Sequence, residues 1–310
     1  MHAYLRRYKL GRPVLSPTKN EGDFDSKEVD CANVIMKDGI FYMAYTGWDG
    51  RVNRIGLAKS RDLIYWERVG LILDISKGGW DSGSVSGPYI YQEDRLYYLF
   101  YVGFPRLGYE NGPGAIGLAT SNDLINWEKH PSNPILENIP GGLWERGGLY
   151  KPCVIKIDNL YYLFYNAKDK ENSSWHERIG VAFSKDLLHW EKYERNPVLD
   201  NGPEGAWDSR TVGDPYIVKI DGLWHMFYYG FDREKAQDGV AISKDLINWE
   251  KLDINPIITV GDPGELDDRY AHKPCVIEFN DIWYHFYTAV SKNGERVITL
   301  ATSEPLDGKE

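Results

Sequence analysis

The stretch IGLATSNDLINWEKH, residues 116–130, is one of four nearly identical segments in this 310-residue chain. The others are IGLAKSRDLIYWERV from Ile55, IGVAFSKDLLHWEKY from Ile179 and GVAISKDLINWEKLD from Gly239, and a shortened fifth, ITLATSEPL, begins at Ile298. A period of about 60 residues is longer than most solenoid units but suits a four-stranded sheet with long loops, the unit of a β-propeller. Five copies therefore predict an all-β fold, a five-bladed β-propeller.

A second repeated element, an aromatic run after a turn, lies upstream of each copy. The runs are DGIFYMAY at Asp38, EDRLYYLFY at Glu93, DNLYYLFY at Asp158, DGLWHMFY at Asp221 and NDIWYHFY at Asn280. Aromatic residues after Asp-Gly and similar turns are typical of β-hairpins. Each repeat thus supplies one hairpin and two later strands.

The start of the chain carries a segment that the last repeat lacks. Three copies continue into Asn-Pro and two apolar residues, at 133–136, 196–199 and 255–258, and Arg12-Pro13-Val14-Leu15 matches that pattern. We predict that residues 4–16 form the outer strand of the last blade. Joining the two ends in one sheet removes an open sheet edge.

Composition limits the class of protein. The repeats run without a linker, so we expect one domain over residues 1–310. The formal charge of −10 argues against a nucleic-acid partner, and no apolar run has the length of a membrane span. The opening lacks the apolar core of a secretion signal, which predicts a cytoplasmic protein. Cys31, Cys153 and Cys275 are expected to be buried free thiols.

The Ser-x-Asp-Leu-x-x-Trp pattern of the repeats is interpreted as structural. In Ser121, Asp123 and Trp127, for example, the two polar side chains bond nearby backbone and the indole fills space between sheets. A single active site does not need four such motifs. Functional residues are therefore sought where the repeats differ.

The segments before the hairpins provide that comparison. An acid opens all five, and this favours a structural role for Asp25, Asp81, Asp208 and Asp267. Two later columns differ in chemistry: Asp30, Ser86, Tyr150, Gly213 and His272 in one, and Cys31, Gly87, Lys151, Asp214 and Lys273 in the next. We expect these columns to line the mouth of a central funnel, with Arg210 and Arg269 on its rim.

The repeats, the Asp of VDCANVI (Asp30) and the Asp-Pro of VGDPYIV (Asp214) resemble the five-bladed propeller glycoside hydrolases, the superfamily of families 32, 43, 117 and 130. The resemblance covers essentially the whole sequence and indicates the superfamily rather than one family. It implies that Asp30 is the base or nucleophile and that Asp214 orients substrate and tunes a pKa. Glycosidic cleavage needs one ionised carboxylate and one proton donor at the anomeric carbon.

The proton donor departs from the commonest pattern of that superfamily. Families 32 and 43 use a Glu, whereas the equivalent columns here hold Ser86, Tyr150 and His272. Similarity to family 117 implies that His272 is the acid, since imidazole titrates near neutrality. The alternatives are that His272 contacts a structural Ca²⁺ or a water on the propeller axis, and that Glu145 is the acid. No cofactor is required.

Cations and loop aromatics complete the candidate set. Lys151, Lys273, Arg210 and Arg269 are either solvated and paired, or recognise an anionic group such as a uronate carboxylate, a sulfate or phosphate. Two aromatics break the repeat within loops and are either sugar platforms or exposed loop residues: Trp48 and Trp175.

The predicted function is a glycoside hydrolase that cleaves a terminal sugar from a short oligosaccharide or glycoside. Two rivals stay open, a glycoside phosphorylase that uses inorganic phosphate and a non-catalytic carbohydrate-binding propeller. Sialidases share a similar turn, but their arginine triad and Tyr-Glu pair cannot be assembled from this sequence. The sugar, its linkage and the stereochemical outcome are left open.

Overall fold

The computed structural model describes residues 5, 7–139, 142–171 and 175–306, which contain β-strands and no α-helix. The strands are β1 (Tyr8–Lys9), β2 (Glu28–Lys37), β3 (Ile40–Trp48), β4 (Asn53–Ser60), β5 (Glu67–Leu73), β6 (Ser84–Glu93), β7 (Leu96–Phe104), β8 (Ala115–Ser121), β9 (Glu128–Lys129), β10 (Gly148–Ile157), β11 (Leu160–Lys168), β12 (Glu177–Ser184), β13 (Glu191–Lys192), β14 (Thr211–Ile220), β15 (Leu223–Phe231), β16 (Ala236–Ser243), β17 (Glu250–Lys251), β18 (Tyr270–Phe279), β19 (Ile282–Val290) and β20 (Arg296–Thr302). No described helix is long and apolar enough to cross a membrane.

The strands group into five antiparallel units. Units one to four are β2 to β5, β6 to β9, β10 to β13 and β14 to β17, each paired in sequence order. Unit five contains β18, β19 and β20, with β1 added to its outer edge. Single parallel residue pairs join unit three to unit four, Glu177 with Thr211, and unit four to unit five, Ala236 with Tyr270.

The repeated Ser-x-Asp-Leu-x-x-Trp motif forms a turn closed by its own side chains. In unit two, Ser121 Oγ accepts backbone N–H bonds from Asp123 and Leu124, at 3.1 and 3.0 Å. Asp123 Oδ1 accepts two more, from Ile125 and from the next residue, both at 2.8 Å. The same bonds recur in units one, three and four, which confirms the structural interpretation.

The motif's tryptophans pack between neighbouring units. Each pair below is edge-to-face, a favourable aromatic geometry. Trp190 of unit three contacts Phe100 of unit two at 6.2 Å between ring centroids, Trp249 of unit four contacts Phe164 of unit three at 6.0 Å, and Trp66 of unit one contacts Phe286 of unit five at 5.9 Å. The last pair places the first unit against the fifth.

Each unit also buries one carboxylate between a tyrosine and a cation. Asp81, 2% exposed, accepts hydrogen bonds from Tyr101 Oη at 3.1 Å and Lys129 Nζ at 2.6 Å. The equivalent trios are Asp25 with Tyr45 and Arg68, Glu145 with Tyr165 and Lys192, Asp208 with Tyr228 and Lys251, and Asp267 with Tyr287 and Lys9. The structural role predicted for the four Asp residues is confirmed.

The N-terminal segment pairs with the last strand. Tyr8 pairs with Thr302 and Lys9 with Ala301, and Leu15 forms a bridge to Ile298. Lys9 gives unit five the cation that the outermost strand gives each other unit. Residues 1–4 and 6 lie outside the described part of the sequence.

Each innermost strand has an irregularity at the column that the sequence singled out. Register shifts interrupt β2, β6, β10, β14 and β18 against their partners. The residues at the shifts have positive φ: Cys31 at 52°, Gly87 at 59°, Lys151 at 34°, Asp214 at 50° and Lys273 at 68°. Bulges of this kind re-aim side chains, and four of the five residues are not glycine, which is a strained choice.

The three cysteines are buried free thiols, as predicted. Cys153 Sγ accepts a backbone N–H bond from Ile217 at 3.4 Å, and Cys275 Sγ accepts one from Val34 at 3.3 Å. Each of these two thiols therefore links the innermost strands of neighbouring units.

Candidate active site

A cavity of about 170 Å³, the inner cavity, lies where the five units meet. Each innermost strand contributes its bulge residue to the lining: Cys31, Gly87, Lys151, Asp214 and Lys273. His272, Glu110, Lys168 and Glu177 also line it. Side chains from all five units therefore converge on one small polar space.

A larger cavity of about 440 Å³, the outer cavity, continues from it. The two cavities share Trp175, Glu177, Tyr229 and His272. Further aromatic and cationic residues complete the outer lining, among them Phe231, Tyr270, Arg210 and Arg233. A mainly aromatic wall with few polar groups is typical of a ligand site.

Asp214 has an unsatisfied carboxyl group in the inner cavity. The residue is 5% exposed, and its Oδ2 atom has no hydrogen-bond partner among the described residues. Burial raises the pKa of Asp214 to about 7, because the loss of hydration outweighs the attraction of Lys273 and Lys151. This carboxyl group is therefore partly protonated at neutral pH.

Glu177, a residue that the sequence analysis did not select, lies at the junction of the two cavities. Its Oε2 accepts hydrogen bonds from Asn166 Nδ2 at 2.7 Å and Tyr229 Oη at 2.9 Å. Its Oε1 accepts one from Trp175 Nε1 at 2.8 Å, and Lys168 Nζ lies 3.8 Å away. Three donors and a cation hold this carboxylate in one orientation.

The signal for Glu177 was present outside the columns that the sequence analysis compared. The first residues of the third strands are Asn53, Ala115, Glu177, Ala236 and Arg296. The second-strand residues opposite the first variable column are Thr46, Val102, Asn166, Tyr229 and Thr288. Both columns differ from unit to unit, as the inner-strand columns do. Extending the same comparison along each unit would have found Glu177 and its partners.

Asp30 is the centre of an ion-pair network. Its carboxylate accepts hydrogen bonds from Cys31 N at 2.8 Å, Thr288 Oγ1 at 2.6 Å, Tyr109 Oη at 2.8 Å, Lys273 Nζ at 2.8 Å and Arg296 Nη1 at 2.8 Å. Burial opposes ionisation, but Lys273 and Arg296 outweigh it and hold the pKa of Asp30 well below its usual range. The residues that line the two cavities do not include Asp30.

His272 lies at the junction with both ring nitrogens unsatisfied among the described residues. Its ring is edge-on to Tyr229 at 5.5 Å. Burial, Lys273 and Arg296 lower the pKa of His272 well below its usual range, so the ring is neutral at pH 7. This environment does not support the charged imidazolium that the sequence analysis expected. Within the described residues no group of three or more His, Cys, Asp or Glu side chains is arranged to hold a metal ion, and His272 is not assigned as a ligand.

Glu145 lies away from both cavities. It is 1% exposed and bonds Tyr165 Oη at 3.3 Å and Lys192 Nζ at 2.7 Å, the pattern of the structural aspartates. Its extra methylene places Oε1 within 3.0 Å of the Ile139 backbone N–H. We therefore assign Glu145 to the structural set and not to the acid.

The predicted cations occupy four different settings. Lys151 lines the inner cavity and donates to the Pro88 carbonyl at 3.2 Å, while Lys273 is paired with Asp30. Arg210 lines the outer cavity. Arg269 is exposed and stacks on Tyr270 at 4.8 Å.

The two loop tryptophans also differ. Trp175 lines both cavities, and Lys168 Nζ lies 4.7 Å from the centre of its ring. Trp48 is absent from both linings and contacts Tyr109 edge-to-face at 5.8 Å. Of the two, only Trp175 is in place to contact a ligand in these cavities.

Comparison with known proteins identifies the class. Residues 89–255 match the family described as "Glycosyl hydrolases family 32 N-terminal domain", so this chain is a member of that family, within the superfamily of propeller glycoside hydrolases. A 1,2-beta-oligomannan phosphorylase from Thermoanaerobacter sp. (strain X514) is 32% identical over 173 residues, 53% of this chain and 57% of the relative. The chain spans about half the length of the curated relatives it matches.

Two solved structures are similar over almost the whole sequence. One, a complex of BT0996 with RGII in its name, has a TM-score of 0.85 and 28% identity, and the match covers 98% of this protein and 94% of the other. Another, named "Glycoside hydrolase", has a TM-score of 0.81 and 26% identity, with 96% and 93% covered. The all-β propeller fold of the glycoside hydrolases is therefore the fold of this protein.

Proposed function

We propose that this protein is a glycoside hydrolase that removes a terminal sugar from an oligosaccharide or glycoside. Asp214 is the proton donor and Glu177 is the ionised carboxylate. The observation that carries the proposal is the pair itself: a buried carboxyl group with a free oxygen and a pKa near 7, in the same cavity as a carboxylate fixed by three donors. Two carboxyl groups in opposite protonation states are what glycosidic cleavage requires.

The shapes of the two cavities support action on a terminal sugar. The inner cavity, about 170 Å³, is below the usual size of a ligand pocket, whereas the outer one, about 440 Å³, is within that range. A single terminal sugar fits the inner cavity while the rest of the substrate occupies the outer one. Glu177 and His272 line both, so the scissile bond lies at the junction.

The reaction follows from these positions. Asp214 gives its proton to the glycosidic oxygen as the bond to the anomeric carbon breaks. Glu177 either attacks the anomeric carbon or removes a proton from the attacking water, according to the separation of the two carboxyl groups. Asn166 and Tyr229 hold Glu177 for either role.

Asp30 and His272 receive supporting roles in this proposal. Asp30 is a positioning residue, because its carboxylate is occupied by five donors and fixes Lys273 and Arg296 near the inner cavity. His272, as a neutral ring, has one N–H and one lone pair available for sugar hydroxyl groups.

The propeller is proposed to have five blades in a single domain, one blade for each unit, with the N-terminal strand closing the last. Two contacts support this. Trp66 of unit one packs on Phe286 of unit five, and Lys9 completes the buried trio of Asp267.

A screen of aryl-glycosides and short oligosaccharides tests the proposed function. We expect release of one terminal sugar, and a loss of at least about 100-fold in Asp214→Asn and Glu177→Gln, as for acid–base groups. Asp81→Asn is the matched control, because Asp81 is a buried carboxylate outside the lining of both cavities. Full activity in either site variant would exclude that residue from catalysis.

A phosphorylase is the second candidate, favoured by the oligomannan phosphorylase relative and by Lys151. The ammonium group of Lys151 lines the inner cavity and has no carboxylate within 4.0 Å among the described residues. The same screen, run with and without inorganic phosphate, separates the two reactions. A hydrolase releases free sugar at an unchanged rate, whereas a phosphorylase needs phosphate and releases a sugar 1-phosphate.

A further inference from the structure

We propose that the outer cavity binds a sugar residue carrying a carboxylate, on the leaving-group side of the scissile bond. The feature that points to it is a pair of arginines, Arg210 and Arg233, in one wall of that cavity. The proposal rests on the proposed function, in that the outer cavity is assigned to the part of the substrate beyond the terminal sugar.

Arg210 is a buried cation without a carboxylate partner. The residue is 8% exposed, and its Nη1 donates to the neutral acceptor His176 Nε2 at 3.0 Å. None of the described carboxylates lies within 4.0 Å of its guanidinium. By contrast, Arg68 and Arg296, which are also largely buried, each pair with an aspartate at 2.8 Å.

Arg233 adds a second positive charge to the same wall. Its side chain has no hydrogen bond or ion pair within the part of the sequence that the structure describes. Its φ of 95° is unusual for a residue other than glycine, so the loop holds this arginine in a strained conformation. The nearby Asp232 is already used, since its Oδ1 accepts the backbone N–H bonds of Glu234 and Lys235, each at 2.8 Å.

The charge of the whole molecule makes this pair more informative. The protein carries a formal charge of −10, yet these two arginines face one cavity whose described lining contains a single carboxylate, Glu177. Glu177 is already bonded to three donors. Two guanidinium groups without a carboxylate form a fork that suits a planar anion, which each can bind through two parallel hydrogen bonds.

The rest of the cavity fits a sugar rather than a small free anion. Trp175, Tyr229 and Tyr270 provide aromatic surface, and His272 presents ring nitrogens without partners among the described residues. A free carboxylate would use the arginines and leave this surface uncovered. A uronic acid residue uses the arginines, the aromatic rings and the imidazole together.

The test is a direct binding measurement that does not depend on turnover. The probes are the methyl glycosides of glucuronate and galacturonate, their carboxyl methyl esters and the neutral glucosides and galactosides, titrated by calorimetry or protein NMR. We expect at least one uronate to bind at least about tenfold more tightly than its ester, with an affinity that falls as NaCl is added. Equal binding of acid and ester would overturn the proposal.

Variants locate the site. Arg233→Gln should remove most of the preference for the acid, and because Arg233 is exposed the fold should tolerate the change. Arg210→Lys should lower the preference partly, because lysine keeps the charge and loses the bidentate geometry. Arg61→Gln, which changes an exposed arginine in the turn after β4, is the control and should leave the preference unchanged. An unchanged preference in Arg233→Gln would place the anion elsewhere.

Two further arms separate the outcomes. If the 6-sulfates of the neutral sugars bind more tightly than the uronates, the assignment of a carboxylate is wrong. If the protein cleaves neutral glycosides but shows no preference for uronates, this inference fails and the proposed function stands. If it binds uronates but cleaves no glycoside, the proposed function fails instead.

Discussion

Asp214 is a carboxyl group kept partly protonated by its surroundings. Because its pKa is about 7, a reaction that needs its proton should slow as pH rises. We expect kcat/KM to fall above about pH 7, and Asp214→Asn to lose this alkaline limb. The loss in that variant should be largest for substrates with poor leaving groups, because activated aryl-glycosides depart without protonation. A variant that keeps the limb would show that another group titrates.

The same group makes stability depend on pH. The folded pKa of about 7 lies above the unfolded value of about 3.9, so between these values only the folded state holds the proton. Its contribution therefore favours the folded state at low pH and is lost as pH rises from about 4 to about 7, by up to about 1.4 kcal/mol per pH unit. Urea unfolding across this range should show a flatter decline for Asp214→Asn than for the wild type. Parallel curves would contradict the assigned pKa.

Asp30 and Glu177 should respond differently to amide substitution. Asp30→Asn leaves Lys273 and Arg296 without their shared anion, which should cost about 3–5 kcal/mol of stability as well as activity. Glu177→Gln keeps a hydrogen-bonding group of the same shape and should lose activity alone. Denaturant midpoints and turnover, measured on both variants, check this. Equal stability losses would mean that Glu177 is also a structural ion-pair partner.

At the scale of the element, the buried carboxylate trios show how sequence repetition becomes packing. Lys129 and Lys9 make the same contact with their aspartates, at 2.6 and 2.7 Å, although one lies in the outermost strand of its own unit and the other near the start of the sequence. Each lysine side chain is about a quarter exposed. Lys9→Met and Lys129→Met should therefore destabilise by similar amounts, about 1–3 kcal/mol, as measured by urea unfolding. A negligible effect at Lys9 alone would indicate that β1 is not a full member of its sheet.

The repeats explain which elements could be predicted. Hairpins, turns and structural acids recur, so comparing copies revealed them, and the innermost-strand columns led to Asp214 and His272. Protonation was beyond that comparison. Whether Asp30 or Asp214 is the ionised group depends on Thr288, Tyr109 and Arg296, which approach Asp30 from distant parts of the sequence.

At the scale of the whole molecule, the first and last units meet twice, through β1 on β20 and through Trp66 on Phe286. Removing residues 1–16 would leave β20 with unpaired backbone groups and Asp267 without its cation. We expect the truncated protein to have a lower urea midpoint and to associate through the exposed edge. Size-exclusion chromatography and unfolding curves measure both effects. A monomer of unchanged stability would show that the pairing contributes little.

The pairing of Tyr8 with Thr302 also sets an order of events during synthesis. A ribosome adds about 5–20 residues per second, so the first strand waits roughly 15–60 s for a partner that is made almost last. Through that time the earlier units can form hairpin by hairpin from local contacts, while the leading segment stays unpaired. Completion of the native sheet is therefore reserved for polypeptides that have been translated to the end, and an aborted product keeps an open edge for quality control to bind.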